Sequence, residues 1–256
     1  MMTNIIPTTE PFLYPGNRTG CVLVHGITAT PKEMSYLGAY LAEQGYSVVG
    51  VRLAGHATDP ADLRRVRYRD WLASVEDGWN LLKEGTDRIF LVGLSMGGAL
   101  VLTQAARLPV AGVVAMSTPY QVEAHGYKRL LLPFTGLLRY LMPYQKKGQA
   151  NWFNKAAYQQ RVAYEVGVTN GYHELKSLLA EMRAGLPEIT APVRLIHSKD
   201  DDYVLPYNMQ KIYDRLSTTD KEMCYVEKAE HVITEDGDRE KVFALVAEFI
   251  ERVSGA

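Results

Sequence analysis

Arg88-Ile-Phe-Leu-Val-Gly-Leu-Ser-Met-Gly-Gly-Ala-Leu-Val-Leu102 is the stretch that decides the fold. It opens as an apolar run of strand length and continues from Met96 as a helix of small and aliphatic residues. Gly93 and Gly97 stand two positions either side of Ser95, so the junction carries the G-x-S-x-G pattern. Such a junction turns sharply, and a Cβ at either glycine would collide with the neighbouring strand or helix. The serine between them is held on a strained backbone with its hydroxyl projecting at the carboxyl end of the strand. Alone, the pattern fits a Ser-capped glycine turn equally well. A strand immediately before and a small-residue helix immediately after make it the seat of a nucleophile.

Outward from this junction, short apolar runs alternate with helical stretches. Strands are predicted at Cys21–Val24, Tyr46–Leu53, Arg88–Gly93, Val110–Met116, Val193–His197 and Met223–Val226. Helices are predicted at Lys32–Gln44, Trp71–Glu84, Met96–Arg107, Asn208–Leu216 and Arg239–Val253. This alternation predicts an α/β protein, a mostly parallel sheet with helices on both faces. Residues 119–189 break the rhythm. They read as helical, strand-free and rich in aromatics, and are expected to form a helical cap above the carboxyl ends of the strands, where open α/β sheets bind ligands. The core would then comprise residues 1–118 and 190–256.

Composition narrows the function classes. The 256 residues are 47% hydrophobic and carry a formal net charge of −1. Near-balanced charge leaves no basic footprint for nucleic acid or an anionic membrane surface. The run Arg64-Arg65-Val-Arg67-Tyr-Arg69 is offset by Asp59, Asp62 and Asp70 and reads as a solvated face. No apolar run reaches the ~18 residues of a membrane span. Residues 1–10 lack a signal-peptide pattern, and the two cysteines, Cys21 and Cys224, read as buried strand thiols. Together these features predict a cytoplasmic protein. No Cys/His spacing suggests zinc, and no glycine-rich turn has the dinucleotide form.

A serine hydroxyl needs a base within reach and a cradle for the oxyanion it generates. For the cradle, the amides of Ile27, just past the first long strand, and Met96, just past the serine, are the candidates. His25 beside them reads as a turn residue bonded to nearby backbone. Six histidines compete as base: His25, His56, His125, His173, His197 and His231. Only His231 follows the last strand, where the chain order Ser…Asp/Glu…His places the base. The acid belongs in the loop after the preceding strand, which holds Asp200, Asp201 and Asp202. Val204 and Pro206 give Asp201 the favoured spacing, an apolar residue three positions on and a proline soon after, and leave the other two as alternatives.

Taken together, His25-Gly26-Ile27-Thr28, Gly55-His56, Gly93-Leu-Ser-Met-Gly-Gly98, the Asp201 loop and His231-Val-Ile resemble the bacterial carboxylesterase and monoacylglycerol lipase family of α/β-hydrolases. The similarity runs from Cys21 to the C-terminus and is weakest in the insertion. The resemblance implies the α/β-hydrolase fold. It also implies hydrolysis of short- to medium-chain acyl esters, monoacylglycerols among them, without metal or organic cofactor. Two departures stand out. Ile-Thr-Ala-Thr follows His25-Gly26 where relatives often have Phe-Thr-Gly, and Ala57 breaks the usual Gly-His-Gly.

On the substrate side, Leu130, Phe134, Leu137, Leu138 and Leu141 recur at helical spacing. This predicts a cap helix that lines an acyl pocket through Phe134 and Leu138 and touches lipid aggregates transiently, or that simply packs on the sheet. Glu165 falls where the resemblance implies an alcohol-side contact. A thioesterase, a peptidase or a carbon–carbon hydrolase would keep the same three residues, and a ligand-binding receptor could retain them with little turnover. An aspartate-nucleophile dehalogenase or epoxide hydrolase is excluded by Ser95.

Overall fold

The computed structural model describes residues 4–122, 134–148 and 151–255. Seven strands form the main sheet: β1 (Phe12–Tyr14), β2 (Thr19–Val24), β3 (Ser47–Val51), β4 (Arg88–Leu94), β5 (Gly112–Met116), β8 (Val193–Ser198) and β9 (Lys221–Val226). Their spatial order is β1-β3-β2-β4-β5-β8-β9. All neighbours pair in parallel except β1 with β3. This is the mostly parallel sheet that the alternation predicts.

Period-two alternation explains why both faces are covered. In β4, Ile89 and Leu91 enter one apolar cluster while Phe90, Val92 and Leu94 enter the other. The same split separates Val113 and Ala115 from Val114 and Met116 in β5. On the first face lie α3 (Tyr68–Lys83) and α4 (Met96–Ala105); on the second lie α1 (Ser35–Glu43) and α9 (Arg239–Ser254). A four-residue helix, α2 (Pro60–Leu63), precedes α3, and α8 (Tyr207–Arg215) packs Met209 and Ile212 on the first face. Every residue of α4 is buried. No helix among the described residues is long and apolar enough to cross a membrane.

The insertion leaves the sheet after β5 and returns at β8, two strands that pair directly through Val113 and Val193. Within it lie α5 (Thr135–Leu141), α6 (Lys155–Gln160) and α7 (Thr169–Gly185). The expectation of a strand-free segment is corrected here. Tyr144–Lys146 (β6) and Val166–Val168 (β7) form a small antiparallel pair, too short to register as a period in sequence. The segment also divides by packing. Leu175, Leu178, Leu179 and Met182 of α7 join the first-face cluster with Leu100, whereas α5 has no buried residue. Leu130 and His125 lie outside the described residues.

Two further differences sit at the sheet edges. β1 is a three-residue strand that composition did not reveal. β9 is an edge strand whose residues up to Tyr225 are partly exposed, so Cys224 is half-buried rather than buried, while Cys21 is fully enclosed. Both thiols are free.

Because α7 is part of the core and α5 is not, Leu179→Ala should cost about 2–5 kcal/mol of stability, the range for emptying a packed aliphatic site. Leu137→Ala, on the exposed face of α5, should stay within about 0.5 kcal/mol. Urea denaturation of both variants measures the difference.

Candidate active site

Ser95 sits between β4 and α4 at φ 57° and ψ −118°, a region that side-chain-bearing residues rarely enter. The surrounding glycines make the turn possible. A Cβ on Gly93 would overlap the backbone of Gly97, and one on Gly97 would overlap the carbonyl of Val24. The Ser95 amide donates to Met116 O at 2.8 Å, which ties the turn to β5.

His231 lies in the loop after β9 with its ring between two partners. Nε2 is 2.8 Å from Ser95 Oγ, and Nδ1 is 2.8 Å from Asp201 Oδ2. With the carboxylate facing Nδ1, the ring proton belongs there, and Nε2 is left to accept from the serine hydroxyl. Asp201 is enclosed. Its Oδ1 accepts the amides of Tyr203 (3.0 Å) and Val204 (2.8 Å), and His197 Nε2 approaches Oδ2 at 3.2 Å. Burial alone would raise the Asp201 pKa; the charge on His231 and hydrogen bonds from His197 and His231 outweigh it and hold the carboxyl well below the usual range. Burial likewise opposes charge on His231, but Asp201, with smaller contributions from Glu230 and Glu33, brings its pKa above the ordinary histidine value.

Of the three candidate acids, the structure brings Asp201 alone to His231. Asp200 is exposed and accepts the Lys228 amide, and Asp202 is exposed and accepts from Asn151 of the insertion. Tyr203, next in the chain, sets its ring 5.0 Å from the His231 ring.

The loop after β2 lies directly against the serine. A Cβ on Gly26 would come within 3.4 Å of Ser95 Cβ, and Ile27 is the next residue in the chain. Met96 opens α4, and amides in a first helical turn have no acceptor within the helix. Met96 follows Ser95 directly in the chain, and Ile27 follows the glycine that lies against it. His25 turns its ring to backbone, with Nδ1 2.8 Å from Gly26 O and Nε2 accepting from Leu53 N at 3.3 Å. Burial lowers its pKa to about 4 and keeps it neutral. Ala57 is at φ 60°, so the departure from Gly-His-Gly places a methyl-bearing residue in a left-handed conformation that suits glycine.

Among the described residues, the insertion residues singled out from sequence make no hydrogen bond or ion pair with this group. Glu165 is exposed at the bend before β7, and among the described residues no hydrogen bond or ion pair links it to Ser95, His231 or Asp201. Phe134 is 59% exposed at the start of α5, and Leu138 is half-buried. Two buried carboxylates that sequence did not single out touch the site's loops. Asp236 accepts the Glu230 amide (2.7 Å), one residue before His231, together with the amides of Phe153 (3.2 Å) and Asn154 (2.6 Å). Glu33 accepts the Gly26 amide at 2.9 Å. Neither has a sequence signal, because each looks like a helix- or loop-surface acid until the fold encloses it.

Comparison with known proteins places this chain in a family. A family model described as serine aminopeptidase, S33 (Hydrolase_4) matches residues 16–238. The chain is 33% identical to a thermostable monoacylglycerol lipase of Bacillus sp. (strain H-257), over 98% of each chain. It is 29% identical to a carboxylesterase of Bacillus subtilis (strain 168), over 97% of this chain and 98% of that one. Among solved structures, a chain from the work on LipS and LipT, two metagenome-derived lipolytic enzymes, superposes with a TM-score of 0.88 at 29% identity. That match covers 97% of this chain and 100% of the other. On the breadth of these matches, the chain belongs to the Hydrolase_4 (serine aminopeptidase, S33) family of hydrolases, within the α/β-hydrolase superfamily.

Proposed function

We propose that this hydrolase cleaves carboxylic esters of short to medium acyl chains, monoacylglycerols among them, through Ser95, His231 and Asp201. The observation that carries the proposal is the unbroken hydrogen-bond line from Ser95 Oγ through the His231 ring to Asp201, at 2.8 Å on each side, on a serine held in a strained turn. The names of the two Bacillus relatives support the ester as substrate.

In this mechanism His231 Nε2 takes the hydroxyl proton as Ser95 Oγ attacks the ester carbonyl. The amides of Ile27 and Met96 receive the oxyanion, and the Asp201 carboxylate stabilises the imidazolium. Collapse of the intermediate breaks the ester C–O bond, and the alcohol leaves with the proton from His231. Water then enters, gives its proton to His231 and attacks the acyl-serine; Ser95 leaves with that proton and the carboxylic acid departs. The chain's own residues suffice for every step. Phe134 and Leu138 are assigned to the acyl side and Glu165 to the alcohol side, and the exposed apolar residues of α5 (Leu137, Tyr140 and Leu141) suit transient contact with lipid aggregates. Sparse, unpaired cysteines support a cytoplasmic setting.

Multiple-turnover hydrolysis of para-nitrophenyl esters and monoacylglycerols of graded chain length tests the reaction class. Ser95→Ala should abolish turnover, and activity confined to thioesters or peptides would overturn the ester assignment. Asp201→Asn should lower kcat by about 10⁴, the scale for losing the orienting carboxylate, while Asp200→Asn stays within a few-fold; equal losses would refute the choice of acid. The base works only when neutral, so kcat/KM should fall as pH drops through the His231 pKa. Because Asp201 raises that pKa, the midpoint of the acid limb should lie above ~6.5, the unperturbed histidine value. In Asp201→Asn it should move down, as a pH–rate profile would record.

A further inference from the structure

The loop that follows β2 and the insertion share a seam. Residues 28–33 run beside residues 160–164, joined by three hydrogen bonds besides the Glu33–Arg161 ion pair, and Lys147 bridges the two stretches. The Tyr164 amide donates to Thr28 O at 2.9 Å, and Thr30 Oγ1 donates to Val162 O at 3.1 Å. Lys32 Nζ donates to Gln160 O at 2.8 Å, and Lys147 Nζ reaches Thr28 Oγ1 at 2.7 Å. One residue of this seam extends through it to the site. Glu33 is only 4% exposed; its Oε2 accepts the Gly26 amide at 2.9 Å, and its Oε1 faces Arg161 Nη2 of the insertion at 3.2 Å. Its own carbonyl accepts from Thr234 Oγ1, three residues after His231, at 2.7 Å.

The placement has a definite geometric consequence. A Cβ on Gly26 would meet Glu33 Oε2 at 3.1 Å and Ser95 Cβ at 3.4 Å. The carboxylate and the serine therefore both lie close to Gly26, and the peptide that follows it carries the Ile27 amide. Holding the Gly26 N–H fixes the orientation of that stretch of backbone. A buried carboxylate needs a counter-charge. Arg161 supplies it, stacked with its guanidinium 5.6 Å from the Trp152 ring centroid. Glu235 lies in the same cluster with an unpartnered buried Oε2. Burial first, and the charge of Glu33 second, push the Glu235 pKa up to about 8, which favours its neutral form beside Glu33.

We propose that Glu33 is a positioning residue that sets the Ile27 amide beside Ser95 and couples that setting to the docking of the insertion through Arg161. This rests on the oxyanion role assigned to Ile27 under the proposed function. Glu33 touches no reacting atom; it acts through the Gly26 peptide, and Arg161 acts through Glu33.

The test separates the two ends of the carboxylate. Glu33→Gln keeps an acceptor for Gly26 and loses the ion pair, so it should match Arg161→Met, each lowering kcat about five- to tenfold with KM within twofold. Combining them should add nothing further. Glu33→Ala also removes the Gly26 acceptor and should lower kcat about 100-fold, the scale of a ~1 Å misplacement in a site. Native-state amide hydrogen exchange supplies a readout independent of turnover: in Glu33→Gln, amides of residues 26–28 and 160–164 should exchange faster together. A Glu33→Ala enzyme that folds and keeps kcat within threefold, additive losses for Glu33→Gln and Arg161→Met, or faster exchange on one side of the seam alone would each overturn the proposal. Should Glu33→Ala not fold, the Gln–Met cycle and the exchange data decide. Absence of Ser95-dependent turnover in the unmodified protein would bring down the ester-hydrolase reading instead, and the exchange measurement would still decide the coupling.

Discussion

One backbone conformation constrains most of the molecule. Ser95 is held at positive φ, at a cost of about 1–3 kcal/mol that the surroundings must overcome. The turn closes only because Gly93 and Gly97 let β4, α4 and the end of β2 approach to backbone contact. That approach in turn requires α4 to lie flat in the middle of the structure, buried along its whole length. A helix so placed needs a second apolar layer outside it, and α7 provides that layer from within the insertion. The architecture around the serine thus follows from the demand that one hydroxyl stand clear of its own strand.

The electrostatics of the site are built outward from the same point. His231 faces the serine with one nitrogen and a buried carboxylate with the other, and the carboxylate is itself held by two backbone amides and by His197. Charge is therefore concentrated on the side of the imidazole away from Ser95. Beyond this layer, Glu33 and Asp236 bind backbone amides of the loops that carry Gly26 and His231, and both also bind the insertion. The reacting groups come from the sheet, while their fine placement is shared with a segment outside it.

Much of the sheet was legible in the sequence because its strands are apolar on both faces, and the β4–α4 junction because glycine spacing is a local signature. His231 and the aspartate loop followed from chain order. What stayed hidden depends on distant partners. β1 is three residues long and exists through pairing with β3, and β6 with β7 likewise. Cys224 appeared buried because an edge strand has the same composition as a central one. The choice among Asp200, Asp201 and Asp202 rested on spacing, and only the fold separates the one that faces His231 from the two that face solvent. Glu33 and Asp236 carry no local pattern, since their importance comes from amides 7 residues away or on the other side of a loop.

The insertion enters and leaves the sheet at two strands that are already neighbours. Its ends are fixed by the core whatever lies between them, so lineages could exchange this segment without disturbing the register of any strand. Heredity is less free at its underside. A transplanted segment would have to arrive with a cation where Arg161 meets Glu33 and a pair of free amides where Phe153 and Asn154 meet Asp236. Substrate range and reaction chemistry would then be inherited together at these few positions and separately everywhere else.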